Sequence, residues 1–365
     1  MEPVRIPEVA APPARFSLLG ETVPAASLTQ LTWNATETYT GNSIPTAVLV
    51  ANGSEPGPVL CLTAAVHGDE INGIEIVRRV LHDLETERVR GTVVGVPIVN
   101  LQGFQRNSRY LPDRRDLNRH FPGNPTGSSA SRIAHSLFTR IIRHCDALVD
   151  LHTGSFHRTN LPQLRADLND DRVVELTAGF GSTVILHSEG AEGTLRRAAT
   201  SAGVPSVTIE AGMPMRVQED VVEHSVKAIF TLMDTMEIYD RRSLWGNPEP
   251  VYYQSRWVRA DGGGILAGEV QLGRRVQPGD LLGTVIDPIS NEQQQILSPY
   301  RGRVIGMAVD QFVMPGYATF HLGIEAEVSE AAKSSGPDPD PEVAPDDASE
   351  RVPDLRPEGR GDADR

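Results

Sequence analysis

The hydrophobic and polar positions of the chain alternate between short apolar runs and longer amphipathic segments. The run VLCLTAAV, residues 59–66, is almost continuously apolar, which is typical of a strand covered on both faces of a parallel sheet. Apolar residues then follow at 71, 74, 77, 81 and 84, the spacing of an amphipathic helix that ends near Thr86. The rhythm continues with predicted strands at 92–99, 147–151, 183–186 and 206–209 and predicted helices at 134–144 and 221–236. This alternation predicts an α/β domain with a mostly parallel mixed sheet.

The pattern changes after Tyr239. Residues 244–327 contain short β-like runs separated by glycine and proline turns such as DGGG and QPGD, which predicts a small all-β, barrel-like domain. From residue 329 to the C-terminus there are eleven acids, five bases and six prolines, a composition typical of a disordered tail. The predicted organisation is a loosely ordered N-terminus (1–20), an α/β domain (21–243), a β-domain (244–328) and a disordered acidic tail (329–365).

Composition and charge narrow the class of protein. Of 365 residues, 39% are hydrophobic and 22% charged, a balance that can fill a globular core. The net charge of −14 disfavours nucleic acid and anionic membrane surfaces as partners. No apolar run approaches the ~20 residues of a membrane span, and the N-terminus lacks the pattern of a secretory signal. Cys61 and Cys145 both lie beside apolar runs, so we expect buried free thiols and a cytoplasmic protein.

Three predicted strands are followed by residues that could bind a metal. The strand at 59–66 leads into His67 and Glu70, the strand at 147–151 into His152, and the strand at 206–209 into Glu210. Ligand sites in open α/β sheets form at the carboxyl ends of strands, and two histidines with one carboxylate are a common catalytic zinc set. Asp150 lies two residues before His152 and could orient its imidazole. His187, which also follows a strand, is the one rival ligand.

A polar, arginine-rich run, residues 109–119, lies in a predicted loop between these strands. Such loops are usually solvated. The pair Asn118 and Arg119 nevertheless suits the binding of a carboxylate, because a guanidinium can donate two parallel hydrogen bonds.

Four motifs together resemble a known family. HGDE at 67–70, RYLPDRRDLNRHFPG at 109–123, DLHTG at 150–154 and IEAG at 209–212 occur in the order seen in the succinylglutamate desuccinylase/aspartoacylase family, a branch of the zinc carboxypeptidase-like hydrolases. The resemblance covers roughly residues 45–325. It implies a zinc carboxypeptidase-like catalytic domain at 21–243 and one Zn²⁺ per chain. The implied site residues are His67, Glu70 and His152 as zinc ligands, Glu210 as general base, Arg109 as oxyanion stabiliser, Asn118 and Arg119 as the carboxylate-binding pair, and Tyr317 as a substrate contact.

The β-domain carries a second resemblance. Residues 276–306 are similar to biotinyl/lipoyl-type barrels, which hold their cofactor on a lysine. No lysine occurs between Lys227 and Lys333, so covalent attachment is excluded, and we expect this domain to cap or shape the active site.

The function that follows is zinc-dependent amide hydrolysis that removes an acyl group from a small N-acyl amino acid. One alternative is a metallocarboxypeptidase acting on peptides, because the same ligands and carboxylate-binding pair serve both reactions. A second is a binding protein that keeps the fold without catalysis. The sequence leaves the oligomeric state open, a homo-oligomer included.

Overall fold

A computed structural model describes residues 16–37, 41–240, 250–309 and 311–325. The predicted acidic tail (329–365), the first fifteen residues and the predicted domain boundary at 243 lie outside the described residues.

Six α-helices lie along the described chain. Helix α3 begins at Ser129, five residues earlier than the apolar pattern predicts, because the Ser128 side chain caps it by accepting a hydrogen bond from the backbone of Ser131. Short 3₁₀ turns cover Thr86–Arg88, Leu117–Arg119 and Ile142–His144. The helices are α1 (Asn72–His82), α2 (Leu101–Phe104), α3 (Ser129–Arg140), α4 (Asp171–Ala178), α5 (Leu195–Ser201) and α6 (Glu219–Thr235).

The described strands fall into an N-terminal and a C-terminal group. The first group is β1 (Phe16–Leu18), β2 (Glu21–Val23), β3 (Ser27–Glu37), β4 (Ser43–Asn52), β5 (Glu55–Ala64), β6 (Arg90–Val96), β7 (Ala147–His152), β8 (Arg158–Ala166), β9 (Val184–His187) and β10 (Ser206–Gly212). The second group is β11 (Val251–Tyr252), β12 (Ser255–Arg259), β13 (Gly264–Gly268), β14 (Arg275–Val276), β15 (Leu281–Ile286), β16 (Gln293–Leu297), β17 (Gly302–Ala308), β18 (Gln311–Val313) and β19 (Ala318–Ile324).

One large mixed sheet organises the molecule, with the strand order β12-β19-β17-β8-β10-β7-β5-β6-β4-β3 along its main path. The four central strands, β6, β5, β7 and β10, are parallel to one another, as the buried apolar runs predict. The flanks are antiparallel: β3 and β4 extend one side, and β8 begins the other. The mixed α/β fold is therefore confirmed, with the parallel pairing concentrated at the centre rather than spread through most of the sheet.

Helices cover both faces of this sheet. On one face α1, α4 and α6 pack through residues such as Ile76, Leu176 and Ile229. On the other face α3 and α5 bury Leu137 and Leu195 against strand residues. Because both faces are covered, the central strands contain almost no exposed side chains, and the polar residues at their ends need a specific environment.

The C-terminal strands do not form an isolated unit beside the sheet. Strand β17 pairs with β8, and β19 and β12 continue the same sheet outward. A second, four-stranded sheet, β16-β15-β13-β18, encloses a separate hydrophobic core with them. This arrangement brings residues from the predicted β-domain next to the strand that neighbours Glu210.

The prediction of free thiols is wrong. Cys61 and Cys145 form a disulfide with a Cα–Cα distance of 5.8 Å, and the described residues contain no free cysteine. The sequence separation of 84 hides their proximity, which arises because β5 and β7 are adjacent parallel strands. Disulfides are uncommon in reducing compartments, so the two cysteines do not support the predicted cytoplasmic location.

Within the described residues, no helix is both long and apolar enough to cross a membrane.

Candidate metal centre and active site

The candidate site lies at the carboxyl ends of the central parallel strands. His67 follows β5, His152 ends β7, and Glu210 lies in β10 directly beside His152 in the strand register. Glu70 lies two residues before α1. Adjacent parallel strands end at the same edge of a sheet, so the topology brings together the residues predicted from the three strand ends.

Three side chains converge on a common point. His67 Nδ1 lies 2.8 Å from Glu70 Oε1, His152 Nδ1 lies 2.9 Å from Glu70 Oε2, and the two Nδ1 atoms are 3.1 Å apart. All three residues are buried. Among the residues that the structure describes, this is the only group of three or more potential ligands with ligand atoms within 4.8 Å of one another. Two imidazole nitrogens and a carboxylate oxygen could hold a zinc ion.

The outward nitrogens of both imidazoles are held by carboxylates. His152 Nε2 lies 2.8 Å from Asp150 Oδ2, and His67 Nε2 lies 3.1 Å from Asp116 Oδ1. A carboxylate at Nε2 favours the tautomer that donates from this atom, which leaves the Nδ1 lone pair for a metal. Asp150 also accepts a hydrogen bond from Thr63 Oγ1 at 2.6 Å. The suggested orienting role of Asp150 thus has a matching geometry.

The pKa values of these groups reflect strong mutual interaction. Burial and Arg109 lower the pKa of His67, but Glu70 and Asp116 outweigh them and raise it. Burial also opposes the charged form of His152, yet Asp150 and Glu70 raise its pKa well above the ordinary value. The pKa of Glu70 is lowered, since the two imidazoles outweigh its own burial. The carboxylates therefore favour proton binding at these imidazoles, and protons compete with a metal for the same nitrogen atoms.

Arg109 lies directly beside this centre. Its Nη1 donates to Glu70 Oε1 at 3.0 Å and its Nη2 to Asp116 Oδ2 at 3.2 Å. The guanidinium is almost completely buried and lies 5.5 Å from the centroid of the Phe156 ring. A fixed cation at this position could stabilise negative charge that develops next to the ligands.

Asn118 and Arg119 occupy the short 3₁₀ turn on the α5 side of the centre. Asn118 donates its backbone N–H to Asp116 Oδ1, and its side-chain Oδ1 accepts from the backbone of Leu195 at 2.8 Å. Leu195 is the first residue of α5, so Asn118 caps that helix. With Oδ1 engaged, the remaining hydrogen-bonding group of the Asn118 side chain is its Nδ2 amide, which is a donor. Arg119 Nη1 donates to the carbonyl of Asn118 at 2.9 Å.

Glu210 is buried next to the metal centre. Its Oε2 accepts a hydrogen bond from Asn160 Nδ2 at 3.1 Å, and its Oε1 lies 3.6 Å from Arg165 Nε. A carboxylate in this position could accept a proton, but it also makes the ion pair that a purely structural role would require.

The comparisons with known proteins agree with this geometry. The model of the succinylglutamate desuccinylase/aspartoacylase catalytic domain matches residues 56–236, a span that contains the three potential ligands, the arginine-rich loop and Glu210. The chain belongs to this family. An N-alpha-acetyl-L-2,4-diaminobutyric acid deacetylase from Halomonas elongata is 27% identical, with 63% of this chain and 71% of that protein covered. Deacylases are thus represented among the family relatives.

Solved structures support the same desuccinylase/aspartoacylase fold. The product-bound ectoine utilization protein EutE (DoeB) from Ruegeria pomeroyi has a TM-score of 0.73 at 22% identity, covering 86% of this chain and 99% of that one. A succinylglutamate desuccinylase/aspartoacylase from Rhodobacter sphaeroides has a TM-score of 0.70 at 23% identity, covering 81% and 94%.

Two further histidines of this family member, His187 and His321, are not part of the candidate ligand group. His187 Nδ1 accepts from the backbone of Leu168 at 3.2 Å, and its ring packs against Tyr253. The rival assignment of His187 as a ligand therefore has no support in the geometry. His321, left unassigned from the sequence, is buried and stacks on Trp257 with ring centroids 4.6 Å apart.

Tyr317 lies in the turn between β18 and β19 and contacts the loop after β7. Its hydroxyl donates to the carbonyl of Phe156 at 3.3 Å, and the Arg158 guanidinium lies 4.8 Å from the centroid of its ring. Phe156 and His157 have positive φ angles of 47° and 61°, so the loop after β7 turns sharply between the centre and Tyr317. Tyr317 thus comes from the C-terminal strands and contacts a loop of the metal centre.

Sequence reasoning missed strand β8 and the polar residues on it. Asn160 and Arg165 both approach Glu210, and Arg158 packs among C-terminal aromatic residues. Arg196, on α5, is also buried, and burial together with Arg165 lowers its pKa to about 10. The available signal was the polar run RTN at 158–160, which follows DLHTG after three residues; arginine and asparagine are rarely buried unless they face a partner or a site.

Proposed function

We propose that this chain is a zinc-dependent amide hydrolase that removes the acyl group from an N-acyl amino acid. The observation that carries the proposal is the convergence of His67 Nδ1, His152 Nδ1 and Glu70 on one point, within a family that contains deacylases. The buried Glu210 and the fixed cation of Arg109 border that point.

The donor set fits zinc. Two neutral imidazoles and one carboxylate leave a fourth position for water or substrate, which is the usual arrangement of a catalytic zinc. The carboxylates at both Nε2 atoms favour the tautomer that a metal requires. A bound zinc ion supplies Lewis acidity, which polarises a carbonyl and lowers the pKa of water toward ~7.

Glu210 is the proposed general base. It takes a proton from the attacking water and gives a proton to the leaving amine. Asn160 holds one carboxylate oxygen, which fixes the orientation of the group. The other oxygen lies 3.6 Å from Arg165 Nε, and a neighbouring guanidinium favours the ionised carboxylate, which is the form that can accept a proton.

Arg109 is the proposed stabiliser of the oxyanion. Its hydrogen bonds to Glu70 and Asp116 hold the guanidinium in place before substrate arrives, so little reorganisation is required during the reaction. The Phe156 ring beside it keeps solvent from the cation.

Asn118 and Arg119 are the proposed carboxylate-binding pair. The helix cap fixes Asn118 Oδ1 and presents Nδ2 as a donor, while Arg119 supplies the charge. The favoured substrate is therefore an N-acyl amino acid with a free α-carboxylate. The activity in the name of the Halomonas relative, removal of an acetyl group from an α-amino acid, belongs to the same reaction class.

A substrate panel tests this function. Acetyl-, butyryl- and succinyl-amino acids are compared with dipeptides and longer peptides, using zinc-loaded protein. We expect kcat/KM to be highest for an N-acyl amino acid and to fall when its carboxylate is amidated. Preference for longer peptides would instead identify a metallocarboxypeptidase. No hydrolysis of any amide by fully loaded protein would favour the non-catalytic binding protein.

A further inference from the structure

A row of side chains leads from Glu210 into the C-terminal strands. Asn160, which binds Glu210, pairs in register with Gly306 of β17, Gly306 pairs with His321 of β19, and His321 pairs with Trp257 of β12. Directly paired residues project to the same face of a sheet. Asn160, which binds the proposed base, thus projects to the same face of the sheet as the stacked rings of His321 and Trp257.

The glycine in this row makes room for its neighbours. A Cβ at Gly306 would lie 2.6 Å from Asn160 Oδ1 and 3.3 Å from the Cβ of His321. Any side chain there would displace the residue that holds Glu210. The row is therefore packed so that Asn160 lies over the glycine and faces the proposed base.

Arg158 lies beside this row, and its guanidinium reaches Trp257 at the outer end; it is buried, and no described residue supplies an anionic partner for its charge. It is two residues before Asn160 on β8, so both project to one face. Its Cζ lies 5.3 Å from the ring centroid of Trp257 and 4.8 Å from that of Tyr317, and it is only 9% exposed. Its Nε has no hydrogen-bond acceptor, and no carboxylate of the described chain forms an ion pair with Arg158.

A buried cation without an anion is costly, because desolvation is not offset by a partner. Aromatic faces offset part of this cost through their quadrupoles, but they leave the N–H donors unused. The remaining donors of a planar guanidinium match a carboxylate. Among the described residues, the surroundings of Arg158 therefore lack an anionic group, and a ligand could supply one.

We propose that Arg158, held between Trp257 and Tyr317, is a specificity-determining residue that binds a second carboxylate of the substrate. This inference rests on the proposed deacylase function and extends it. The pair Asn118 and Arg119 lies on the α5 side of the metal centre, whereas Arg158 lies on the side of the C-terminal strands. The two cationic positions therefore bind two different carboxylates, with the scissile amide between them or beside one of them.

The second carboxylate can come from two sources. It can end the acyl group, as in an N-succinyl amino acid, or it can end the amino-acid side chain, as in an N-acetyl derivative of glutamate. Two matched pairs of compounds separate these sources. N-succinyl-L-alanine is compared with N-butyryl-L-alanine, and N-acetyl-L-glutamate with N-acetyl-L-glutamine.

The test compares the full-length chain with Arg158→Met, which keeps the length and the aromatic packing but removes the charge and the donors. In one of the two pairs, kcat/KM for the carboxylate compound is expected to fall about 10- to 100-fold, mainly through KM, because a charge-assisted hydrogen bond is lost. The neutral compound should change by less than about threefold. The control is Arg259→Gln on the same strand as Trp257; Arg259 is exposed and donates to the carbonyl of Gly316.

Equal decreases in kcat/KM for the charged and neutral compounds would overturn the proposal. A lower melting temperature with unchanged selectivity would do the same, because both results would show that Arg158 only stabilises the packing of the strands. Calorimetric titration with the same four compounds provides a second measurement. If none of the four is hydrolysed, the deacylase function fails, and titration still decides the binding role. Weaker binding of a carboxylate compound to Arg158→Met than to the wild type supports the carboxylate-binding role of Arg158. Equal binding of all four compounds to the wild type and the variant overturns it.

Discussion

Replacement of Asp150 by asparagine tests how the buried carboxylate controls the metal centre. Asp150 Oδ2 lies 2.8 Å from His152 Nε2, its Oδ1 accepts from Thr63 at 2.6 Å, and the residue is fully buried. Asparagine has nearly the same volume, so Asp150→Asn removes the charge without leaving a cavity. The imidazole of His152 then loses the charge that makes it a stronger ligand, and an amide oxygen, a weaker acceptor than a carboxylate, is all that remains to fix its tautomer.

The size of the effect follows from this contact. A hydrogen bond to a charged group contributes about 1.5–3 kcal/mol. Removal of a carboxylate behind a ligating histidine weakens metal binding about 10- to 100-fold, which corresponds to about 1.4–2.7 kcal/mol. We therefore expect the Kd for zinc to rise about 10- to 100-fold in Asp150→Asn.

The pH dependence of this effect has a defined sign. Asp150 and Glu70 raise the pKa of His152 in the metal-free protein, so protons compete with zinc at His152 up to a higher pH than at an ordinary histidine. Asp150→Asn lowers that pKa and weakens the competition, which offsets part of the lost affinity at low pH. The ratio of the mutant Kd to the wild-type Kd should therefore increase as the pH rises through the pKa of His152.

Competition with a chromophoric chelator measures both Kd values across the pH range. Asp146→Asn is the matched control, because Asp146 Oδ2 accepts a hydrogen bond from the backbone of Val59 at 2.7 Å, outside the metal centre. That variant should keep the wild-type Kd. A folded Asp150→Asn protein whose zinc Kd stays within about twofold of wild type would refute the reasoning, since it would show that the contact has no influence on the ligand.

Further predictions address the other parts of the site. His67→Ala removes one of three ligands and should abolish stoichiometric zinc by elemental analysis; full occupancy would contradict the ligand assignment. Glu210→Gln should retain zinc and lower kcat at least ~100-fold, whereas a stability loss with near-normal kcat would indicate that the contacts to Asn160 and Arg165 are purely structural. Asn118→Asp keeps the oxygen that caps α5 but replaces the Nδ2 donor, so KM for carboxylate substrates should rise about tenfold at unchanged Tm; a lower Tm with normal KM would leave only the capping role.

The polarity of the strand ends made the candidate metal centre predictable. Each of the central strands is a continuous apolar run, so a histidine or glutamate at its end marks the place where the buried strand meets the site. His67, His152 and Glu210 were located in this way, and the register of β7 and β10 then places the last two side by side. The four ordered motifs added the family, which the match to residues 56–236 confirms.

Strand β8 could not be predicted from local pattern. Its sequence, RTNLPQLRA, contains a proline and several polar residues, which is unusual for a strand inside a large sheet. It forms because β10 and β17 pair with it on either side, a tertiary contact that no local periodicity encodes. Arg158 and Asn160 were missed for the same reason.

The prediction of free thiols was wrong for a related reason. Apolar neighbours correctly indicated that Cys61 and Cys145 are buried, but burial does not distinguish a thiol from a disulfide. Their pairing depends on β5 and β7 being neighbours, although strand β6 and helices α1, α2 and α3 lie between them in the chain. The order of strands in the sheet is the information that the sequence pattern lacked.

Turnover measured against the amount of zinc added per chain tests the central claim most directly. The protein is stripped with a chelator, and hydrolysis of the preferred N-acyl amino acid is followed as zinc is returned, with His152→Ala as the control. We expect no turnover without zinc, a linear rise that stops at about one zinc per chain, and no rise in the variant, because three protein ligands define one catalytic site. Full turnover by the stripped wild-type protein, or equal zinc-dependent activity in His152→Ala, would contradict the account.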